Sequence, residues 1–268
     1  MISGIHQRES KAIERGSSLG RDAWLRLRKN YLAMTSLWFF VTVVLTCFLL
    51  PLFSFVPDPN ATFPELQSQP AFSKATSVGG DEVYYLLGSD HLGRDIFSRI
   101  LYGGRVSLAV GFLATAVSLT IGVIYGALSG YVGGKIDAAM MRVVDILYAL
   151  PFMIIVIILT TYFGNNLWLL FVCIGAVEWL TMARIVRGQV ISLKSQEFVE
   201  AARSLGLSQW RIVFRHLIPN TIGPVIVYTT LTVPAVMRLE AILSFLGLGV
   251  QPPDASWGAL IKEGADRM

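Results

Sequence analysis

The sequence predicts an all-α, polytopic transmembrane helical bundle, on three observations. Hydrophobic residues make up 54% of the 268 and charged residues only 15%, where a soluble domain carries nearer a quarter charged. The apolar residues gather into runs of about 20, the length that carries a helix across roughly 30 Å of hydrocarbon. The basic residues sit beside these runs and do not form one patch, so the net charge of +4 points to a membrane and not to nucleic acid.

Residues 1–35 hold seven Lys/Arg (Arg8, Lys11, Arg15, Arg21, Arg26, Arg28, Lys29) and read as a cytoplasmic tail, with no cleavable signal peptide. The first span covers 36–56 and ends among Pro51, Pro57 and Pro59. An extracytoplasmic loop, 57–105, follows with four basic and six acidic residues. Its stretch 57–86, with Pro57, Pro59, Pro64 and Pro70, reads as an irregular insertion. Further on, HLGRDIFSRILYGGR sets Ile96, Phe97, Ile100 and Leu101 on one helical side and Arg94 and Arg99 toward another. That is the pattern of an interfacial helix ahead of the next span.

Residues 106–268 form the core. A second span covers Val106–Ser129, and GYVGGKID makes a cytoplasmic turn. A third covers Val143–Phe163 with Pro151 inside, GNN at 164–166 turns tightly, and a fourth covers Leu167–Ile185. A cytoplasmic loop, 190–220, leads to a fifth span, Ile222–Leu246. With the N-terminus cytoplasmic, most Lys/Arg fall inside, six of them in 184–216, as the positive-inside bias requires.

Glu197–Asn220 departs from the hydrocarbon pattern. Ser195 is placed to cap a helix whose first turn holds Glu197 and Glu200, with negative charge at the positive end of its dipole. Phe198, Ala201, Ala202 and Leu205 recur at helical spacing as one apolar face, and Gly206 allows a left-handed exit. Ser208 starts a second short helix through Gln209–His216, apolar at Trp210, Val213 and Phe214, which Pro219 closes. Two rigid helices with a glycine bend suit a knob that docks into a partner's cleft; an amphipathic loop lying on the inner leaflet fits the same residues.

Gly122, Gly126 and Gly130 repeat every four residues after Ala114 and Ser118, a small-residue face for close helix packing. Glu178, Arg238 and Glu240 are charges within spans, where charge is costly and often functional. They would line a translocation path, or else form a structural ion pair or sit at the water interface. Pro224 and Pro234 permit kinks in the fifth span. SGYVGGKID misses a phosphate-binding loop, with Ser129 where glycine belongs and Ile136 where Ser/Thr must hold magnesium. His6, His91 and His216 are scattered, and Cys47 and Cys173 lie in apolar runs as packing residues, so no catalytic or metal cluster is expected.

Glu200-Ala201-Ala202 with Gly206, and Leu217-Ile218-Pro219 after it, resembles the EAA loop of permease subunits of bacterial ABC importers. The usual Ile-Leu order before the proline is exchanged here. LGSDHLGRDIFSRILYGGRVSL (87–108), SGYVGGKIDAAMMRVVDIL (129–147), WLTMARIVRGQ (179–189) and LSFLGLGVQPP (243–253) resemble the peptide-and-nickel branch. GGKID…MMRVVDIL and PFMIIVIILTTYFGNN look most like the second membrane subunit of oligopeptide permeases.

The resemblance implies a type I importer bundle in the bacterial cytoplasmic membrane, with a sixth span expected beyond residue 268. It implies a second homologous permease subunit, two ATPases that carry ATP and Mg, and an extracytoplasmic peptide-binding protein, with no cofactor and no catalysis on this chain. It assigns Glu200, Ala201, Ala202, Gly206, Leu217 and Pro219 to ATPase coupling, and Glu240 fits the family's pattern ahead of SFLGLG. The implied function is import of oligopeptides by alternating access. Dipeptides, nickel chelates, glutathione and antimicrobial peptides are alternative cargoes, and an ion-driven transporter or channel is the rival class.

Overall fold

A computed structural model describes residues 19–53, 56–80, 82–164 and 167–267. The basic residues Arg8, Lys11 and Arg15 and two members of the GNN turn, Asn165 and Asn166, lie outside these residues. The chain separates into two compact units, 1–46 and 47–268.

The first unit is helical. α1 (Leu19–Lys29) ends in Arg26, Arg28 and Lys29, cations that favour the negative end of its dipole. Asn30 interrupts the helix and starts α2 (Tyr31–Leu49), its Oδ1 accepting from the amide of Ala33 at 3.2 Å. This cap starts the span five residues earlier than the hydropathy suggests. α2 exposes Leu32, Trp38 and Phe39, the surface expected of a helix solvated by lipid.

In the second unit the last turn of α2 is held by Arg105, which donates to the carbonyls of Cys47 and Phe48 at 2.8 and 2.7 Å. Both are unsatisfied helix-end acceptors, the natural partners of a guanidinium. The proline-rich stretch 57–86 contains an antiparallel hairpin, β1 (Ser73–Thr76) and β2 (Glu82–Tyr85), in register Ser73↔Tyr85. It is therefore not wholly irregular. The Tyr85 hydroxyl, buried, donates to Gly93 O at 2.8 Å and ties the hairpin to the segment ahead of α3.

α3 runs unbroken over Ile96–Val132, 37 residues or about 55 Å. Asp95 caps it, accepting from Ser98 N at 2.8 Å. A separate interfacial helix before residue 106 is thus corrected to the first turns of α3. Arg94, just ahead of the cap, and Arg99 in the first turn face inward, 5% and 1% exposed, because carboxylates meet them there.

α4 (Gly134–Ala149) and α5 (Phe152–Phe163) replace the single third span. They bend by 80° at Leu150-Pro151; Pro151 has no amide to donate, and it forces the residue before it out of helical geometry. α6 (Leu167–Lys194) is long enough to span and packs along α3. α7 (Glu197–Ser204), α8 (Gln209–Ile212) and α9 (Ile218–Phe245) follow, and α10 (Trp257–Ala265) closes the described chain.

One buried cluster sits at the end that carries α7 and α8, joining Ala127 and Tyr131 to Val186, Val190, Val199, Ile212 and Leu217. Another lies deeper, with Val110, Ala114, Ile174, Val236 and Leu243. Cys47 and Cys173 are buried free thiols.

Candidate coupling element and membrane core

Local chain chemistry builds the knob. α7 begins after Gln196 with no side-chain cap; the Ser195 hydroxyl turns back to Ser192 O at 3.2 Å, which corrects its assignment as the cap. Glu197 and Glu200 occupy the first turn. At the far end Gly206 has φ +73°, its amide bonds Arg203 O at 2.9 Å, and the amide of Leu207 bonds Ala202 O at 3.2 Å. This paired closure requires a left-handed residue, which glycine supplies without a Cβ clash.

The element has two faces, not the single apolar stripe read from sequence. Val199, Ala202, Ile212, Val213 and Leu217 point into the buried cluster that includes Ala127 and Tyr131. Burying each of the four larger side chains contributes about 1.5–3 kcal/mol. Phe198, Ala201, Leu205, Gly206, Trp210 and Phe214 face outward, with Leu205 81% and Trp210 62% exposed. The rings of Trp210 and Phe214 stack at 5.9 Å. Glu200 and Pro219 are exposed as well, whereas Ala202 and Leu217 hold the knob from within and offer no surface to a partner.

Pro219 does not close the second helix. Val213–Leu217 widens into a π turn, with the amide of Ile218 bonding Val213 O, and the helix continues from Gln209 to Phe245. Proline lacks the amide for the ordinary ladder and crowds the carbonyl four residues back; one wider turn accommodates both.

Ionic contacts tie the surrounding helices together. Arg187 of α6 grips Asp137 of α4 through both oxygens at 2.6 Å, and the Ser129 hydroxyl donates to the same carboxylate. Arg187's hydrogen bonds, helped by Ser129 and against partial desolvation, hold the Asp137 carboxyl below the usual range. Arg184 bonds Asp145 at 2.9 Å while lying over the Tyr148 ring.

In the membrane core, Gly122, Gly126 and Gly130 line the α3–α6 seam. A Cβ at Gly126 would lie 2.3 Å from Ala183 O, one at Gly122 2.6 Å from Met182 Cβ, and one at Gly130 2.8 Å from Arg187 O. The two backbones pack within a single chain.

Glu240 is 0% exposed. Its carboxylate accepts from Ser107 of α3 at 2.9 Å and Ser244 of α9 at 2.7 Å. Ser107 in turn accepts from the amide of Trp257, and Ser256 joins Ser244. The carboxylate is therefore the hub of a buried hydroxyl network linking α3, α9 and α10, and lines no path in this structure. Glu178 is half-buried on α6, within electrostatic reach of Tyr228 on α9. Arg238 is exposed, and among the described residues it forms no ion pair with Glu178.

At the N-terminal end of α3, Arg99 donates to Asp90 at 2.6 Å and to both oxygens of Glu263 at 2.6 and 2.9 Å. Arg94 reaches the same Asp90 at 2.7 Å. Burial alone would raise the Asp90 carboxyl, but amides of Arg94 and Leu92 and the Arg94 guanidinium bring it below its ordinary value. This clasp pins α10 to the base of α3. Sequence reasoning missed it: Arg99 and Glu263 stand 164 residues apart, and the arginine pattern is equally that of a water-facing stripe.

The chain matches two family models. One, described as the binding-protein-dependent transport system inner membrane component, covers residues 118–265. The other, the N-terminal transmembrane domain of oligopeptide transport permease C, covers 18–71. The oligopeptide transport system permease protein OppC of Haemophilus influenzae is 45% identical over 94% of this chain and 78% of its own length. OppC of Escherichia coli K12 is 46% identical over 94% and 81%. The dipeptide transport system permease protein DppC of Bacillus subtilis is 41% identical over 96% and 77%. Among solved structures, an inward-facing conformation of the MetNI methionine ABC transporter matches with a TM-score of 0.50 at 18% identity, over 62% of this chain and 79% of that one. This likeness shows the type I importer fold.

Proposed function

The chain belongs to the family of inner membrane components of binding-protein-dependent transport systems, and from that premise we propose that it is the C-type permease subunit of an ATP-driven oligopeptide importer. The cargo assignment draws on relatives named for oligopeptide and dipeptide transport and on the match of residues 18–71 to the permease C segment. The proposed assembly has a second homologous permease, two ATPases carrying ATP and Mg, and an external peptide-binding protein. It sits in the cytoplasmic membrane with the N-terminus inside.

The observation that carries this reading is the division of α7–α8 into a buried face and an unpartnered outer one. A loop adapted only to water would not show Leu205, Trp210 and Phe214 together beside the acidic turn of Glu197 and Glu200. An exposed apolar cluster with a charged rim fits a protein groove. In the proposed cycle, ATP-driven closure of the motors pulls on this face. The buried residues Val199, Ile212 and Leu217 pass the displacement to α6 and α9, the path opens outward, and hydrolysis resets it.

The test is site-directed. Leu205→Cys, treated with a bifunctional reagent whose maleimide takes the thiol and whose activated ester takes a nearby lysine, should be crosslinked to a co-expressed ATP-binding subunit. Leu205→Asp with Trp210→Ala should abolish peptide-dependent uptake while leaving membrane insertion intact, because neither side chain supports the core. No crosslink, together with wild-type uptake in the double variant, would overturn the proposal.

A further inference from the structure

A small cavity of about 240 Å3 opens where the knob meets the cytoplasmic ends of α3 and α6, lined by Tyr131, Val132, Lys194, Arg203 and Gln209. Two cations converge on one ring. Lys194 Nζ lies 5.9 Å and Arg203 Cζ 5.4 Å from the centroid of Tyr131, which is 7% exposed. Among the described residues neither cation is in an ion pair, although neighbouring Arg187 takes Asp137 and Arg184 takes Asp145. Cation–π attraction helps to hold the two heads in place, yet like charges in one small space repel each other. The cavity also carries an amide donor on Gln209 and a phenol on Tyr131.

We propose that this cavity binds a phosphate-bearing anion. Two cations with amide and phenol donors match an oxyanion of several oxygens better than a lone carboxylate, and guanidinium and ammonium groups both recognise phosphate. The walls belong to different parts of the machine: Tyr131 and Lys194 to the core helices, Arg203 and Gln209 to the knob. A bound anion therefore staples one to the other. Two sources share the chemistry, a phospholipid headgroup of the inner leaflet and free phosphate. The exposed apolar Val132 at the rim suits an acyl-bearing ligand. Only the consequence for transport rests on α7–α8 being the coupling element; binding itself does not.

The experiment uses the purified full complex without nucleotide. Retention is read by native mass spectrometry from nanodiscs of phosphatidylcholine with or without phosphatidylglycerol, and by titration with inorganic phosphate. The wild-type complex is expected to retain phosphatidylglycerol, or to bind inorganic phosphate if the free anion is the ligand. Lys194→Gln with Arg203→Gln should weaken retention about thirtyfold, from roughly fivefold per charge. Lys194→Arg should keep it and exclude misfolding as the cause. Failure of both probes, expected if a carboxylate of the motor fills the cavity, would overturn the proposal, as would equal retention by the double variant. Neither readout requires ATP turnover, so these outcomes stand apart from a failure of the importer assignment.

Discussion

Replacing Gly126 by alanine tests the α3–α6 seam. The new Cβ would stand 2.3 Å from Ala183 O, 3.0 Å from Ala183 C and 3.0 Å from Arg187 N, all of them backbone atoms of α6. No side chain can swing aside, so the helix itself must retreat. Overpacking of this kind costs about 1–3 kcal/mol, and a rigid backbone neighbour sets it at the upper end. Alanine returns about 1 kcal/mol of helix propensity relative to glycine. The net is a loss of roughly 2 kcal/mol, which lowers an apparent melting midpoint by about 4–8 °C for a chain of this size. Gly188, on the same α6, has nothing within 4 Å of its hypothetical Cβ, so Gly188→Ala should hold or raise the midpoint. Thermal scanning of the two purified variants in detergent decides the matter. If Gly126→Ala melts at or above wild type, the seam is not closed by backbone contact and the packing argument fails.

Glu240→Ala strands the hydroxyls of Ser107 and Ser244 and should cost roughly 2–5 kcal/mol by the same thermal assay, while Glu240→Gln, which keeps an acceptor, should cost less. Glu263→Ala removes two charged hydrogen bonds from fully buried Arg99. It should release α10, with a loss of roughly 2–3 kcal/mol because Glu263 itself is partly solvated; faster limited proteolysis after Trp257 is the readout. Asp137, whose carboxyl is held below the usual range, adds stability that is present above the ordinary carboxylate pKa and lost as pH falls through its lowered value. Asp137→Asn should therefore flatten the acid limb of the stability–pH curve, and an unchanged limb would remove the Arg187 pair from the account.

The spans were legible because lipid demands uniform apolar runs, and the knob because Gly206 and the acidic first turn are local signals. The glycine row could be read as a packing face, but its partner could not, since nothing in residues 122–130 names α6. Boundaries failed where tertiary contacts overrode local pattern. Arg94 and Arg99 looked solvent-facing until Asp90 and distant Glu263 met them, and α3 then ran ten residues further toward the N-terminus than expected. Pro151 reads as a residue within one span and Pro219 as a helix stop, and the structure reverses both. One bends its span sharply; the other is absorbed by a wider turn, an outcome that depends on the neighbours of Val213–Leu217. A charge inside a span was ambiguous for the same reason: Glu240 reads as pathway or scaffold until Ser107 and Ser244 are seen around it.

The π turn before Pro219 has a mechanical consequence. By carrying the helix through a proline, it keeps Gln209–Phe245 one continuous helix of 37 residues, about 55 Å along its axis. The helix begins four residues after Leu205 and ends five residues beyond Glu240. Moved as a unit, a tilt of about 5° about its first residue would sweep the opposite end through roughly 5 Å, close to the height of a helical turn. A sharp break at Pro219 would have dissipated that leverage in a hinge; the widened turn conserves it.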